Sequence, residues 1–543
     1  MQVEALHWKK SQPLAEDYIQ VSDQASDLFD THFKDAKGWQ ERAAWLLESG
    51  APKANRQQLI QVLKTFNEGV GNSPEALKAI DTLAQSNALT VVGGQQSGLF
   101  GGPLHSIYKA ITLLQLAREW SDKLACPIIP VFWIAGEDHD FDEVNHIFYL
   151  SSQMQVEKLK VEHPSGHRTS VSRLPLQPEA WREAIEALDV SLMDTEFKGE
   201  ILSRLRELPL ECLTLTGAFA RIMANLFGEF GLVLIDSDDP ALRQLEAPMF
   251  EQLVNRNEEL CAALLEGKAM VEHAGYVPQA DVHDQAANLF VFEASGRLLL
   301  QREGELFTDK KKDYTYTKSQ LLDIIHTSPE RLSNNVMTRP LMQEFLFPVL
   351  ATVLGAGEIS YWGLTKQAFH VFGMKMPIVT PRLEFTLLEG AVQKNMAKYC
   401  LTWDDILHHF EEKQQDWLKA QDTLQLAGRF GAVKEDFQRR YEPLVELLGS
   451  INPGIKKLGE TNLAKIIEQI DFLEGKAHDA HKSQFDSALR QWERIRLSIL
   501  PFAKPQERVY NVHTYLNRYG DGWIKQLIEN PIPVDGLHRV YYL

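Results

Sequence analysis

Cysteine is scarce: Cys126, Cys212, Cys261 and Cys400 are the only four in 543 residues. They stand far apart with no CxxC pair, which excludes a zinc knuckle between sequence neighbours and, at this length, argues against a disulfide scaffold. Long apolar runs are also missing. Residues 1–20 alternate apolar and polar side chains without an h-region, and no stretch approaches the ~18–20 apolar residues of a membrane span. Basic charge is in deficit, 56 Lys plus Arg against 74 Asp plus Glu, for a net charge of -18. That field repels phosphate backbones and anionic lipid, so neither nucleic acid nor membrane is expected as a partner. The one dense basic run, Lys310 to Lys312, sits between Asp309 and Asp313 and reads as a solvated loop. Composition is otherwise that of a globular chain, 44% hydrophobic and 24% charged, which excludes global disorder. The length calls for two to four domains or one core with large insertions. A cytoplasmic protein is expected.

Residues 1–88 are polar and helix-permissive and read as a helical layer. The composition then changes. Leu89-Thr90-Val91-Val92 is β-prone, and a loop rich in glycine, Gly93 to Gly102, follows it. Pro103 then opens a segment in which Leu104, Ile107, Ile111, Leu114 and Ala117 share one helical face. Further buried-strand candidates are Pro127–Ala135, ending in Gly136-Glu137-Asp138-His139-Asp140; Gly231–Ile235, ending in Asp236-Ser237-Asp238-Asp239; and Pro377–Thr380, ending in Pro381-Arg382. Apolar strands alternating with helices predict an α/β fold, a Rossmann-like core built on a parallel sheet, whose ligands bind beyond the carboxyl ends of the strands. The gaps between strands are too long for single crossover helices. Insertions are therefore expected at about 150–229 and 241–330, with a small sheet in Glu272–Arg302. The core then covers 1–385. Over 386–500 apolar residues recur at three and four, as at Leu463, Ile466, Ile467, Ile470 and Leu473, then Phe485, Leu489, Trp492, Ile495 and Ile499. Such a narrow seam is an α-helical coiled-coil arm. It suits either a helix pair packed on its own core or a homodimerisation arm. The tail, 501–543, is expected to pack back on the body.

Several groups of residues carry chemistry. In the glycine loop, Gly98, Gly101 and Gly102 permit close approach of an anion to the main chain before a helix start, while Gln95, Gln96 and Ser97 offer polar groups to read a ligand. The loop is neither a Walker loop nor a GxGxxG in register. Glu137, Asp138, His139 and Asp140 form the densest titratable cluster, suited to holding an ammonium or taking its proton, and are the expected catalytic residues. His139 and His146, with acids nearby, offer donors for a metal, but no HxxxH frame is present and no metal is expected. His105, near the start of the loop helix, is a further candidate. Asn334, Asn335 and Arg339 lead into another helix, and Glu358, Tyr361 and Trp362 lie in a second glycine-punctuated stretch trailed by Lys366. Arg339, Lys366 and Arg382 are the cations expected to face the acids and hold carboxylates or phosphates.

The stretches VVGGQQSGLFGGPLHSIYK (91–109), PVFWIAGEDHDFDEVN (130–145), GLVLIDSDDP (231–240), SNNVMTRPLMQEFLFPVLATVLGAGEISYWG (333–363), FGMKMPIVTPRLE (372–384) and PQERVYNVHTYLNRYG (505–520) resemble the BshC family of bacillithiol biosynthesis, in the same order and nearly end to end. The resemblance implies a core related to class I aminoacyl-tRNA synthetases, connecting-peptide insertions and a coiled-coil arm for homodimerisation. It implies a cysteine ligase, joining the carboxyl group of cysteine to the amine of glucosaminyl-malate. It also implies an adenine nucleotide, ATP or ADP, with a second nucleotide site drawn from Arg496, Arg508 and Asn511. Two features depart from class I ligases: the HIGH position reads GGPLHS, and no KMSKS-like run is evident. Two rivals stand beside this reading, an adenylating ligase acting on another amine and a non-catalytic coiled-coil scaffold.

Overall fold

The structure is a computed structural model. It describes residues 2–543 except 49, 52, 152, 154, 165, 167, 213 and 422–424, and the backbone alone of 209–211. The chain divides into two compact units, Met1–Leu387 with Lys504–Leu543, and Leu388–Ala503.

The first unit is built on a parallel sheet of β1 (Leu89–Gln95), β2 (Ile128–Ile134), β3 (Val233–Asp236), β4 (Val349–Leu354) and β5 (Ile378–Pro381). Its spatial order is β3-β2-β1-β4-β5, every pair parallel. The chain thus works outward from β1 through β2 to β3, then returns to the other side of β1 for β4 and β5. That reversal leaves a crevice between β1 and β4 beyond their carboxyl ends, where open α/β sheets bind ligands. Every residue of β2, β3, β4 and β5 is buried, which is why these segments read as unbroken apolar runs. β4 is the strand that the sequence reading lacked. Its residues Val349 to Leu354 lie between the polar stretch 333–340 and the glycine stretch 355–363, whose loop signals flank and mask a short strand.

Helix α1 (Leu104–Leu124) connects β1 to β2 and packs on both. Helices Pro13–Ile19, Ala36–Glu48, Arg56–Gly69 and Pro74–Thr82 precede β1. The amino end departs from the expected helical layer at Val3–Leu6, a strand paired antiparallel with His538–Tyr542. Between β2 and β3 stand a hairpin, His146–Leu150 with Val156–Lys160, and helices Pro178–Ser191, Lys198–Glu211 and Leu215–Phe227. Between β3 and β4 stand helices Pro240–Asn255 and Asn257–His273 and a five-stranded antiparallel sheet. Its outer strands are Thr315–Thr317 and Leu332–Asn334, so it runs well past Arg302.

The second unit is helical. Leu426–Gly449 and Pro453–Ser483 form a hairpin turned at 450–452, tied by Lys434 to Asp471 and Glu474, both at 2.8 Å. Trp492 is buried against Tyr399, Phe410 and Trp417 and forms the firm end of this unit. Toward the turn, Leu444, Leu447, Ile451 and Leu458 stay exposed, as do Phe472 and Leu473 farther along the second helix.

Candidate functional site at the switch point

Beyond the carboxyl ends of the core strands lies a cleft of about 550 Å³. The end of β1 brings Gly94, Gln95 and Gln96; the segment after β2 brings Ala135, Asp138 and Glu143; the turn after β4 brings Gly355, Gly357, Glu358 and Tyr361; and the end of β5 brings Arg382. α1 adds His105 and Lys109, and the tail adds Arg508. Space is tight where β1 enters: a Cβ on Gly94 would lie 3.1 Å from the Trp133 carbonyl, and one on Gly93 3.2 Å from that of Val353, so any larger residue would push its neighbour aside.

One wall is acidic. Gln96 Nε2 donates to Asp138 Oδ2 at 2.6 Å and to Glu143 Oε2 at 2.8 Å, holding the two carboxylates apart with a neutral amide. Asp138 Oδ1 accepts the His139 amide at 2.7 Å. Burial pushes the Asp138 carboxyl up, but Gln96, Arg297 and the His139 amide outweigh it and keep the acid below its ordinary value.

The other wall is cationic. Lys109 is buried, its Nζ donating to the Gly94 carbonyl at 2.5 Å and to Glu358 Oε2 at 2.6 Å. Burial pulls the Lys109 ammonium down to about 8, against the raising effect of Glu358. Burial would lift the Glu358 carboxyl, but Lys109, Arg339 and the Gly355 amide hold it low. Arg339 donates to the Tyr361 hydroxyl, which burial pushes up to about 12. Arg382 forks onto Glu507, through Nη1 at 2.9 Å and Nη2 at 2.5 Å. Arg508 is exposed at the mouth, 3.8 Å from the Cβ position of Gly355.

The structure therefore gathers Gln95, Gln96, His105, Asp138, Arg339, Glu358, Tyr361, Arg382 and Arg508 around one cavity. Arg508 was expected at a second nucleotide site and instead lines the main cleft. Other expectations are corrected. Glu137 is bound to the buried guanidinium of Arg243 at 2.6 Å and accepts the Asn334 amide, so it is a structural ion. Ser97 is buried against the Thr216 hydroxyl at 2.9 Å. The glycine loop turns away because Phe100 is drawn into the apolar cluster of Trp181 and Ile185. Gly101 and Gly102 have φ of 86° and 70°, and three of the loop amides are occupied internally, Gly98 by Gln96 O, Gly101 by Gly98 O and Gly102 by Leu99 O. The first helical amide of α1, Leu104, donates to Tyr510 O. Residues 97–102 of the loop do not line the cleft.

Asn511 is buried and clamps that same loop through the carbonyls of Phe100 and Gly102. Arg496 belongs to the helical unit and pairs with Glu493 at Nε, 2.9 Å. Asn334 is buried away from the lining, and Asn335 bonds Asn288 at 2.9 Å. Trp362 is a core side chain, Lys366 Nζ reaches the carbonyls of Asp27 at 2.8 Å and Phe29 at 3.2 Å, and Asp140 is exposed outside the lining. His139 stands beside Asp138, its Nδ1 3.2 Å from Arg297 Nη1. Sequence reasoning missed Lys109, although its i, i+4 spacing from His105 was a usable signal. It also missed Arg297, which an inserted strand delivers and no local pattern marks.

Behind the cleft, Asp236 closes β3. Burial and neighbouring Asp238 push its carboxyl up to about 7. A raised acid costs nothing below its ordinary value near 3.8, and its stability is lost as pH rises toward 7. Asp236→Asn is expected to match the wild type at pH 4 and to exceed it by about 1–3 kcal/mol at pH 8. Urea unfolding at the two pH values measures the difference.

A doubly wound parallel sheet with a charged cleft at its switch point defines a Rossmann-like protein built to bind a small charged ligand, here joined to a coiled-coil domain. Residues 1–383 match the family "Bacillithiol biosynthesis BshC, N-terminal Rossmann-like domain" and residues 385–543 "Bacillithiol biosynthesis BshC, C-terminal coiled-coil domain". The chain belongs to the BshC family. It is 35% identical over 546 residues, 100% of both chains, to "Putative cysteine ligase BshC" of Geobacillus thermodenitrificans (strain NG80-2). It is likewise 35% identical over 517 residues, 93% of both chains, to the protein of that name from Symbiobacterium thermophilum (strain DSM 24528 / JCM 14929 / IAM 14863 / T).

Proposed function

We propose that this protein is a cysteine ligase that completes bacillithiol by joining the carboxyl of cysteine to the amine of glucosaminyl-malate. The observation that carries this reading is a single cavity lined by Asp138 and Glu143 on one side and by Arg339, Arg382 and Arg508 on the other. A zwitterionic amino acid and a dicarboxylate amine need both signs of charge within reach of each other. Asp138 and Glu143 hold the cysteine ammonium, and the arginines hold the malate carboxylates.

Amide formation also needs an activated carboxyl, for which an adenine nucleotide, ATP or ADP, is the proposed source. Its anionic oxygens fit the arginine wall and not the glycine loop, whose residues 97–102 lie outside the cleft lining. A relation of the core to class I aminoacyl-tRNA synthetases is supported by the shared parallel-sheet layout, with GGPLHS and the missing KMSKS-like run as departures. An adenylating ligase for another amine shares this cleft; charging of RNA is disfavoured by the net charge of -18. No helix among the described residues is long and apolar enough to cross a membrane, and a cytoplasmic location is proposed with the small-molecule substrates. The proposed oligomer is a homodimer through the coiled-coil arm, supported by the exposed leucines beside its turn.

The test is full-length protein incubated with cysteine, glucosaminyl-malate and ATP, with mass spectrometry for bacillithiol and for AMP or ADP. In parallel, the gene is restored to a bacillithiol-producing host that lacks its own homologue. Product in the tube, or restored thiol in the cell with glucosaminyl-malate consumed, supports the reading. Neither product nor restoration by a folded protein rejects it.

A further inference from the structure

The ligase reading leaves open which group takes the proton from the attacking amine, and the cleft holds or borders two histidines, His105 and His139. Their hydrogen-bond partners decide between them. A backbone carbonyl can only accept, so His105 Nδ1, 3.3 Å from the Glu507 carbonyl, carries a proton. A guanidinium can only donate, so His139 Nδ1, 3.2 Å from Arg297 Nη1, is a lone pair in use.

The two rings are therefore opposite tautomers. Neutral His105 keeps an unprotonated Nε2, whereas neutral His139 carries its proton on Nε2 and has its remaining lone pair engaged. That engagement is rigid. Arg297 is fixed by Ser333 Oγ at 2.9 Å and by the Asn334 carbonyl at 2.7 Å, and lies 3.8 Å above the Phe290 ring. Protonating His139 at Nδ1 would break the contact and set two cations face to face.

We infer that His105, through Nε2, is the general base of the ligase reaction, and that His139 is a positioning residue whose ring holds Arg297 in place and whose backbone amide holds Asp138. This deepens the ligase reading and rests on it. The ring of His105 is kept neutral by burial first, then by Arg508, Arg382 and Lys109 around it. An anionic substrate on those cations relieves their repulsion, the smaller part of the depression, and leaves the effect of burial in place.

In the step itself, the neutral amine of one substrate attacks the carbonyl carbon of a cysteinyl group held as a mixed anhydride with phosphate or nucleotide phosphate. The C–N bond forms and a proton leaves nitrogen for His105 Nε2. The C–O bond to the phosphoryl oxygen then breaks, the oxygen keeps the electron pair, and His105 returns the proton to the departing phosphate or to water. Atoms and charge balance without a further reactant.

Two measurements test the assignment. In full-length protein labelled with 15N-histidine, long-range 1H–15N NMR reads each ring's tautomer, the two signals being assigned by their loss in His105→Asn and His139→Gln. Nδ1–H on His105 and Nε2–H on His139 are expected; Nε2–H on His105 overturns the proposal. In the restored host, His105→Asn, whose amide N–H can replace the bond to Glu507, is expected to lower bacillithiol at least about 100-fold. His139→Gln is expected to keep at least about a tenth of the wild-type level. Retention by His105→Asn within about tenfold, or an equal loss in His139→Gln, overturns the proposal. A host that makes bacillithiol without this chain would instead reject the ligase reading itself, so the two failures are told apart.

Discussion

Lys109→Met is expected to abolish most product formation, by at least about 100-fold, while the fold survives. The ammonium is the innermost charge of the cationic wall and bridges the Gly94 carbonyl to Glu358. It thereby fixes the end of β1 against the turn after β4, the two sides of the switch point. Methionine fills the buried stem's space but supplies no donor and no charge. Removing one preorganised donor from a water-poor site typically costs 10²- to 10³-fold in rate. Without Lys109, burial of Glu358 is opposed only by Arg339 and the Gly355 amide, so its carboxyl shifts upward and the electrostatic pattern of the wall changes with it. The structural cost is smaller, about 1–3 kcal/mol for a carbonyl and a carboxylate left short of partners. Bacillithiol in the restored host and thermal unfolding of the pure protein separate the two effects. Wild-type thiol levels in a folded Lys109→Met protein would remove this residue from the site.

Arg243→Met is expected to have the largest effect on stability, a loss of about 3–5 kcal/mol. The guanidinium is fully buried and binds Glu246 at 2.5 Å and Glu137 at 2.6 Å, with Asp238 at 3.7 Å. Those acids lie at the ends of β2 and β3 and on the helix that follows, and Glu137 also accepts the amide of Asn334 in the inserted sheet. One cation thus joins the core strands to the insertion that carries Arg297. Breaking a buried ion network from one side leaves charges stranded in low dielectric, whereas replacing both partners by apolar groups can be nearly neutral. The double variant Arg243→Met/Glu246→Leu is accordingly expected to recover part of the loss. Urea unfolding of the three proteins measures it, and a change below about 1 kcal/mol for Arg243→Met would contradict the network's importance.

The class of fold was legible from the residues alone, because strands covered on both faces leave a mark that needs no partner to read: Ile128 to Ile134 is apolar at every step. The helical seam was legible for the same reason, and so was the placement of Gln96, Asp138, Glu358 and Arg382 at strand ends, where parallel sheets collect their ligand groups. The meaning of individual charges was decided only in three dimensions. Glu137 and Asp138 are adjacent in sequence, yet one points into the ion network of Arg243 and the other into the cleft. The glycine loop looked like an anion cradle until Phe100 found an apolar cluster supplied by residues some eighty positions later, and Arg508 joined the site from the far end of the chain. Burial and pairing are properties of what surrounds a side chain. For a charged residue those surroundings come from distant segments, so its role follows from packing, whereas the periodicity of apolar residues is local and legible.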